Sequence, residues 1–245
     1  MRTAILVTAR LKSTRLPLKV TLPVHGRPMI CHMLDRLKLA QHPEQIIICT
    51  SPIEQDNPLV EIARQEGVSY YRGDPEDVLF RLTEAGKQFG IDTIVNCTAD
   101  NPFVDPVYID RLVDFHNEQG NEFSKSEGLP FGTFAYAVSY DALVRACEIK
   151  AAKDTEVWGG YFIETGAFRW GVMHVTDPAV RWPELRLTVD TPQDFELITR
   201  IFDHLYQLGH VFPLENIVSL CRSHPELTQI NAHIAQKAGK PIKLL

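Results

Sequence analysis

The chain has 245 residues, 44% hydrophobic and 23% charged, with a formal net charge of −6. That is the composition of a soluble globular protein long enough to bury one good core. It argues against nucleic-acid binding through a broad basic face, and no apolar stretch approaches the roughly 20 residues of a membrane-spanning helix.

Residues 4–8 form an apolar run that reads as a buried first strand. It leads into T-A-R-L-K-S-T-R-L-P-L-K, residues 8–19, with four cations (Arg10, Lys12, Arg15, Lys19) and no glycine. A confined positive cluster in an acidic chain suits a small anionic ligand, and its place after a strand suggests a phosphate-holding loop. Residues 27–37 follow with helical apolar spacing and Pro28 near the start. The β-branched run 46–50 reads as a second strand, ended by Ser51-Pro52. A helix over 59–65, opened by Asn57-Pro58 and closed at Gly67, comes next. Then come a strand at 68–71, a helix over 75–89, a strand at 93–98, and a helix over 106–118 capped by Asp105. Continuous apolar strands alternating with helices predict a parallel sheet covered on both faces.

From 123 to 175 the pattern changes to a glycine-rich, mixed α+β insert with strand-like F-G-T-F-A-Y-A-V and F-R-W-G-V-M-H-V. Within one domain spanning 1–245, such an insert suggests a sub-domain on the acceptor side or a dimer arm. A strand at 187–189, a helix over 192–208 with Thr191 as N-cap, and a helical tail over 214–238 complete the reading. Five cysteines (Cys31, Cys49, Cys97, Cys147, Cys221) are scattered without C-x-x-C spacing, which points to a reducing compartment. With no secretory apolar region ahead of Arg10 and Lys12, the expected location is the cytoplasm.

Ligands of open α/β sheets sit beyond the carboxyl ends of the strands. Three polar features fall there: the cationic loop, Thr98-Ala99-Asp100-Asn101-Pro102, and Arg186-Leu187-Thr188-Val189-Asp190-Thr191-Pro192. Two carboxylates facing cations suit phosphoryl-type chemistry, because magnesium takes oxygen ligands and leaving pyrophosphate needs its charge neutralised. Taken singly, Asp100 is as readily a turn residue, and Asp190 a helix-start residue, as a ligand. Dinucleotide-binding and Walker glycine loops, H-E-x-x-H and G-x-S-x-G are absent from the sequence. Residues 153–156 read as a solvated loop or helix end.

The order A-R-x-x-S-T-R-L-P-x-K, T-S with Asp56 nearby, Arg72-Gly73-Asp74, T-A-D-x-P, and R-L-T-V-D-T-P-x-D-F-E-L-I resembles the CTP-dependent cytidylyltransferases. It is nearest the spore-coat polysaccharide branch, relatives of the CMP-ulosonate synthetases. The resemblance implies a Rossmann-like nucleotidyltransferase sheet of the glycosyltransferase-A type. It implies transfer of CMP from CTP to a small acceptor, a sugar acid or a phosphorylated small molecule, with release of pyrophosphate. Ala9, Arg10, Ser13, Arg15, Lys19 and Thr98 would hold the nucleotide. Arg10, Arg15 and Lys19 would serve catalysis, Arg72 and Gly73 would lie near the base, and Asp100 and Asp190 would ligate Mg2+. A homodimer is also implied; nucleic acid and membrane are not among the partners.

Two departures from the pattern stand out. Lys12 and Leu18 occupy positions where the family commonly has glycine, so either side-chain charge replaces backbone cradling or the site is degraded. Lys12 is expected to face solvent. Residues 154–160 read D-T-E-V-W-G-G where relatives carry an R-E-H-V-T-like stretch, which suggests a less anionic or amine-bearing acceptor. A glycosyltransferase with a nucleotide-sugar donor is the rival reading, though Asp100-Asn101-Pro102 lacks its second acid. A non-catalytic nucleotide-binding relative is the other.

Overall fold

The computed structural model describes residues 1–236 and 241–245. Its main sheet contains β1 (Thr3–Thr8), β2 (Gln45–Thr50), β3 (Ser69–Arg72), β4 (Thr93–Thr98), β5 (Phe123–Glu127), β6 (Tyr136–Ser139) and β7 (Trp170–His174). The strand order is β3-β2-β1-β4-β6-β5-β7. β1, β2, β3 and β4 pair in parallel, β6 runs antiparallel to β4 and β5, and β7 is parallel to β5. Six of these strands therefore end at the same edge, and β6 begins there.

The helices are α1 (Met29–Leu37), α2 (Asn57–Gln65), α3 (Val78–Phe89), α4 (Pro106–Glu118), α5 (Tyr140–Ile149), α6 (Gly160–Ile163), α7 (Pro192–Leu205), α8 (Leu214–Ser223) and α9 (Pro225–Gln229). The alternation of β1 explains its unbroken apolar sequence. Ile5 and Val7 face a core with Met33, Leu34, Ile109 and Leu112 of α1 and α4. Ala4 and Leu6 face the other, with Leu79, Leu82 and Leu143 of α3 and α5. Burial of each such aliphatic side chain is worth about 1.5–3 kcal/mol, so one strand anchors two layers. A third core around Phe103, Leu187, Leu197, Phe202 and Ile217 packs α7 and α8 behind the third candidate segment.

Several boundaries differ from the sequence reading, for local reasons. Arg27–Pro28 pairs antiparallel with Pro23–Val24 in a short hairpin, so α1 starts only at Met29. The Asp74 carboxylate accepts from the N–H groups of Glu76 and Asp77, and Asp77 caps α3 by accepting from Phe80 N–H, which delays that helix to Val78. Residues 187–189 form no regular strand; an isolated bridge joins Phe131 to Arg186, and Val189 N–H donates to the Asp100 carbonyl. Helix α7 ends at Leu205 because Tyr206 is extended. The tail breaks at Pro225, whose ring forces His224 out of helical geometry. Ala238, the expected end of that tail, lies outside the described residues. The caps at Asp105 and Thr191 form as expected. The stretch 123–175 supplies β5, β6 and β7 to the main sheet itself.

Candidate active site

At the carboxyl ends of β1 and β4 lies a cavity of about 390 Å³. Its lining includes Ala9, Arg10, Ser13, Arg15, Lys19, Thr98, Asp100 and Asp190, so eight of the ten residues singled out in the sequence meet there. The chain reaches this arrangement without glycine. Leu18 adopts φ 56° and ψ 20°, the left-handed conformation that glycine enters freely, and its carbonyl accepts from Thr21 N–H (2.8 Å) to start a short 3-10 turn. That turn aims Lys19 inward. Lys12 needs no such backbone; its side chain is 62% exposed, as the sequence reading expected, and at the rim of the cavity its ammonium lies 3.0 Å from Glu76. Upstream, the buried Asp56 carboxylate accepts Leu11 N–H (2.8 Å) and pairs with Arg10 Nε (2.6 Å), while Arg10 Nη1 donates to the Pro75 carbonyl.

The centre of the cavity is an ion cluster. Lys19 Nζ donates to Asp100 Oδ2 (2.7 Å) and Asp190 Oδ1 (2.9 Å). Arg15 Nη2 lies 2.9 Å from the same Asp190 oxygen, and Arg186 Nη2 donates to Asp190 Oδ2 (3.1 Å). Burial alone would lower the Lys19 pKa, but the two carboxylates outweigh it and hold it above the ordinary lysine value. Burial likewise works to raise Asp190, and Lys19, Arg15 and Arg186 together bring it below the usual carboxylate range. Both groups are therefore ionised through the physiological range.

Neither aspartate is occupied with local structure. Asn101 Nδ2 donates to Thr98 Oγ1 (2.8 Å) and so bridges the 98–101 turn, and the Asp100 side chain takes no part in it. At the other segment, Asp194 forms a capping box with Thr191 and accepts the N–H groups of Asp190 and Thr191. The turn and helix-start readings of Asp100 and Asp190 thus fall to their neighbours. Asp100 Oδ1 is buried with no hydrogen-bond partner among the described residues. An orphaned carboxylate oxygen beside a second carboxylate fits an oxygen-preferring divalent cation.

Arg72 and Gly73 do not join the cavity. Arg72 donates from Nε to the Ser51 carbonyl (3.0 Å) and from Nη2 to Asn57 Oδ1 (2.8 Å), and Gly73 N–H is bonded to the Thr50 carbonyl (2.9 Å). The wall there is instead made by Pro75, Glu76 and Arg81. Arg81 is 2% exposed, donates to the Asp74 and Pro75 carbonyls, and keeps Nε unpartnered among the described residues. Its burial lowers its pKa. An arginine beside the apolar stripe of a helix was the signal for it. The loop at 153–156 is not simply solvated: Thr155 is buried, donating to Asp77 Oδ1 (2.9 Å) and accepting Leu79 N–H (2.9 Å), and Asp154, Glu156 and Trp158 line the cavity.

A family model for Cytidylyltransferase matches residues 4–212. The spore coat polysaccharide biosynthesis protein SpsF of Bacillus subtilis is 28% identical over 233 residues, 93% of this chain and 97% of its own length. The solved structure of a cytidylyltransferase from Leptospira borgpetersenii superposes with a TM-score of 0.85 at 26% identity, covering 98% of this chain and 100% of that one. CMP:2-keto-3-deoxy-manno-octonic acid synthetase, solved in complex with CTP, shares the fold with a TM-score of 0.64 at 18% identity, covering 83% of this chain and 99% of its own. The Rossmann-like nucleotidyltransferase fold expected from the sequence is the one observed.

Proposed function

The chain belongs to the cytidylyltransferase family of CTP-dependent nucleotidyltransferases, and on that premise we propose that it transfers CMP from CTP to a small acceptor, a sugar acid or a phosphorylated small molecule, in polysaccharide or glycoconjugate biosynthesis. The observation that carries the reading is the Lys19 ammonium held between Asp100 and Asp190, in a cavity walled by the cationic loop. The names of SpsF and of the octonic acid synthetase support a polymer-directed pathway and a sugar-acid acceptor.

In this reading the nucleophilic oxygen of the acceptor attacks the α-phosphorus of CTP. The bond from that phosphorus to the bridging oxygen breaks, and its electron pair leaves with pyrophosphate. A hydroxyl nucleophile gives its proton to solvent, and a phosphate nucleophile has none to give. Lys19 and Arg15 would carry the charge of the triphosphate, and Arg10, pinned by Asp56 and Pro75, would keep the loop in shape behind them. Arg15, Lys19 and Arg186 balance Asp100, Asp190 and Asp194 in charge, so an entering triphosphate calls for further cations. Asp100 and Asp190 would hold magnesium. Bound there, it would supply electrostatic neutralisation of the phosphate oxygens.

Pyrophosphate release from CTP and magnesium, measured across sugar acids and sugar phosphates, tests the reading. Release should be specific to CTP over UTP, ATP and GTP, and should fall at least about a hundredfold in Asp100→Ala and Asp190→Ala. Equal rates with UTP, or an undiminished Asp190→Ala variant, would sink it.

A further inference from the structure

Arg81, in the first turn of α3, is the buried cation to which the reading above gives no task. It is 2% exposed, forms no ion pair among the described residues, and lines the charged cavity. Its bonds to the Asp74 and Pro75 carbonyls both leave from Nη1. Among the described residues Nε has no partner and Nη2 makes no hydrogen bond. The Nε–Nη2 edge, with which a guanidinium can make two parallel bonds, is therefore uncommitted. A buried charge without a counter-ion costs stability that an apolar side chain would not, so its presence on a cavity wall points to a ligand.

The turn around it is built to hold that side chain. Gly73 leaves room for the stem: a Cβ there would lie 3.0 Å from Arg81 Cγ and 2.5 Å from Tyr71 Cε1. Asp74 Oδ1 closes the turn by accepting the N–H groups of Glu76 (2.9 Å) and Asp77 (2.8 Å). The Pro75 carbonyl also accepts from Arg10 Nη1, but Arg10 has Asp56 as its counter-ion.

The order of the sheet separates this wall from the ion cluster. The turn that holds Arg81 follows β3, Asp100 follows β4, and the order β3-β2-β1-β4 puts three strand spacings, about 14 Å, between those two strands. The cationic loop follows β1, between them. A nucleotide with its phosphates on that loop and the aspartates would bring its base towards Pro75, Val78 and Arg81. Arg72 and Gly73, expected near the base, are bonded to the Ser51, Asn57 and Thr50 positions outside the cavity, so another donor must read it. Cytosine offers two neighbouring acceptors, O2 and N3, whereas uracil carries a donor, N3–H, at the second position. A guanidinium edge has donors alone, so it satisfies the first base and confronts the second with a like group.

We propose that Arg81 is a specificity-determining residue for the base, its Nε–Nη2 edge donating to O2 and N3 of cytosine. The proposal rests on the transferase reading for taking CTP as the ligand. Its test is binding alone, by calorimetry with CTP, UTP and 3-deaza-CTP, in which a C–H group replaces N3. The wild-type protein should bind CTP about ten- to a hundredfold more tightly than either analogue. Arg81→Met should bind all three within about threefold of one another, and Arg81→Lys, which keeps the charge and loses the fork, should recover CTP affinity in part but not the preference. Because 3-deaza-CTP removes the contact from the ligand side, the outcome does not depend on the variant folding: wild-type protein that binds CTP and 3-deaza-CTP alike would overturn the proposal. So would an Arg81→Met variant that loses affinity for all three by one factor and keeps the preference, since the arginine would then only shape the turn. A protein that shows the expected discrimination but releases no pyrophosphate with any acceptor would overturn the transferase reading and leave Arg81 standing. Pyrophosphate release together with binding indifferent to N3 would do the reverse.

Discussion

Asp194 offers the sharpest test of how the site is held. Its side chain is fully buried, and its two oxygens accept from Arg186 Nε (2.8 Å), Arg186 Nη2 (3.0 Å), Asn231 Nδ2 (2.9 Å) and the N–H groups of Asp190 (2.9 Å) and Thr191 (3.0 Å). Burial works against its charge, yet Arg186, Asn231 and the Asp190 N–H keep its pKa below the usual range. Asp194→Asn preserves the shape but turns one acceptor into a donor facing donors, and leaves Arg186 with its charge uncompensated on that side. Breaking one side of such a pair costs about 3–5 kcal/mol. For a chain of this size each kcal/mol lowers the melting temperature by about 2–4 °C, so a fall of about 6–20 °C is expected by circular dichroism. A companion variant, Asp194→Leu with Arg186→Met, removes both charges and should recover much of that loss, since replacing a buried pair by apolar groups is often neutral. A melting temperature within about 2 °C of wild type for Asp194→Asn would refute the claim that this carboxylate anchors the segment carrying Asp190.

Two further outcomes follow from backbone conformation and from burial. Leu18 is left-handed and 45% exposed; relief of that conformation, about 1–2 kcal/mol, should offset the lost burial and added chain entropy in Leu18→Gly, whereas Leu18→Ala loses burial without relief. Urea unfolding should therefore rank glycine about 1 kcal/mol above alanine, and the reverse order would show that position 18 is not strained. His116, buried in α4 with its Nδ1 3.1 Å from Ser124 Oγ, has its pKa pushed by burial from 6.5 down to about 4. The unfolded chain binds the proton first, so this group's contribution is present above pH 6.5 and is lost as pH falls towards 4. The loss is about 3 kcal/mol, and in His116→Gln it should vanish from the pH dependence of urea stability; an unchanged acid limb would refute the assignment.

Much of the charged cavity was legible because its chemistry is local. Residues 8–19 carry their own charge, and Asp100 and Asp190 follow apolar runs whose ends are visible in the sequence. What escaped depends on contacts remote along the chain. Arg81 reaches the cavity because the turn before α3 folds back over it, and Thr155 buries itself on Asp77, 78 residues away. Arg72 lies outside the cavity for the converse reason: its guanidinium is bonded to its neighbours in space, Ser51 and Asn57, and nothing in R-G-D announces that. The parallel half of the sheet could be read from its continuous apolar strands. The β5-β6-β7 half, where Lys125 and Tyr136 alternate with buried neighbours, gave only a mixed pattern whose pairing to β4 no periodicity specifies.

The glycine-free loop and the paired aspartates obey one rule. Where a phosphate loop of glycines would use backbone freedom, this chain assigns the shaping to particular side chains: Asp56 accepts Leu11 N–H, Arg10 ties Asp56 to Pro75, Ser13 Oγ accepts Leu16 N–H (3.4 Å), and Leu18 bears the left-handed turn. At the two strand ends the same division recurs, with Asn101 bridging one turn and Asp194 with Thr191 starting the helix after the other. In each case a neighbour carries the fold and a charged group is left over: Lys19 in the loop, Asp100 and Asp190 at the ends. The three meet at Lys19, whose ammonium lies 2.7 Å from Asp100 and 2.9 Å from Asp190. A cluster needed only for stability would gain more from apolar packing than from three ionised groups taken partly out of water. Their convergence at the open edge of the sheet is the physical reason to propose phosphoryl-type chemistry there.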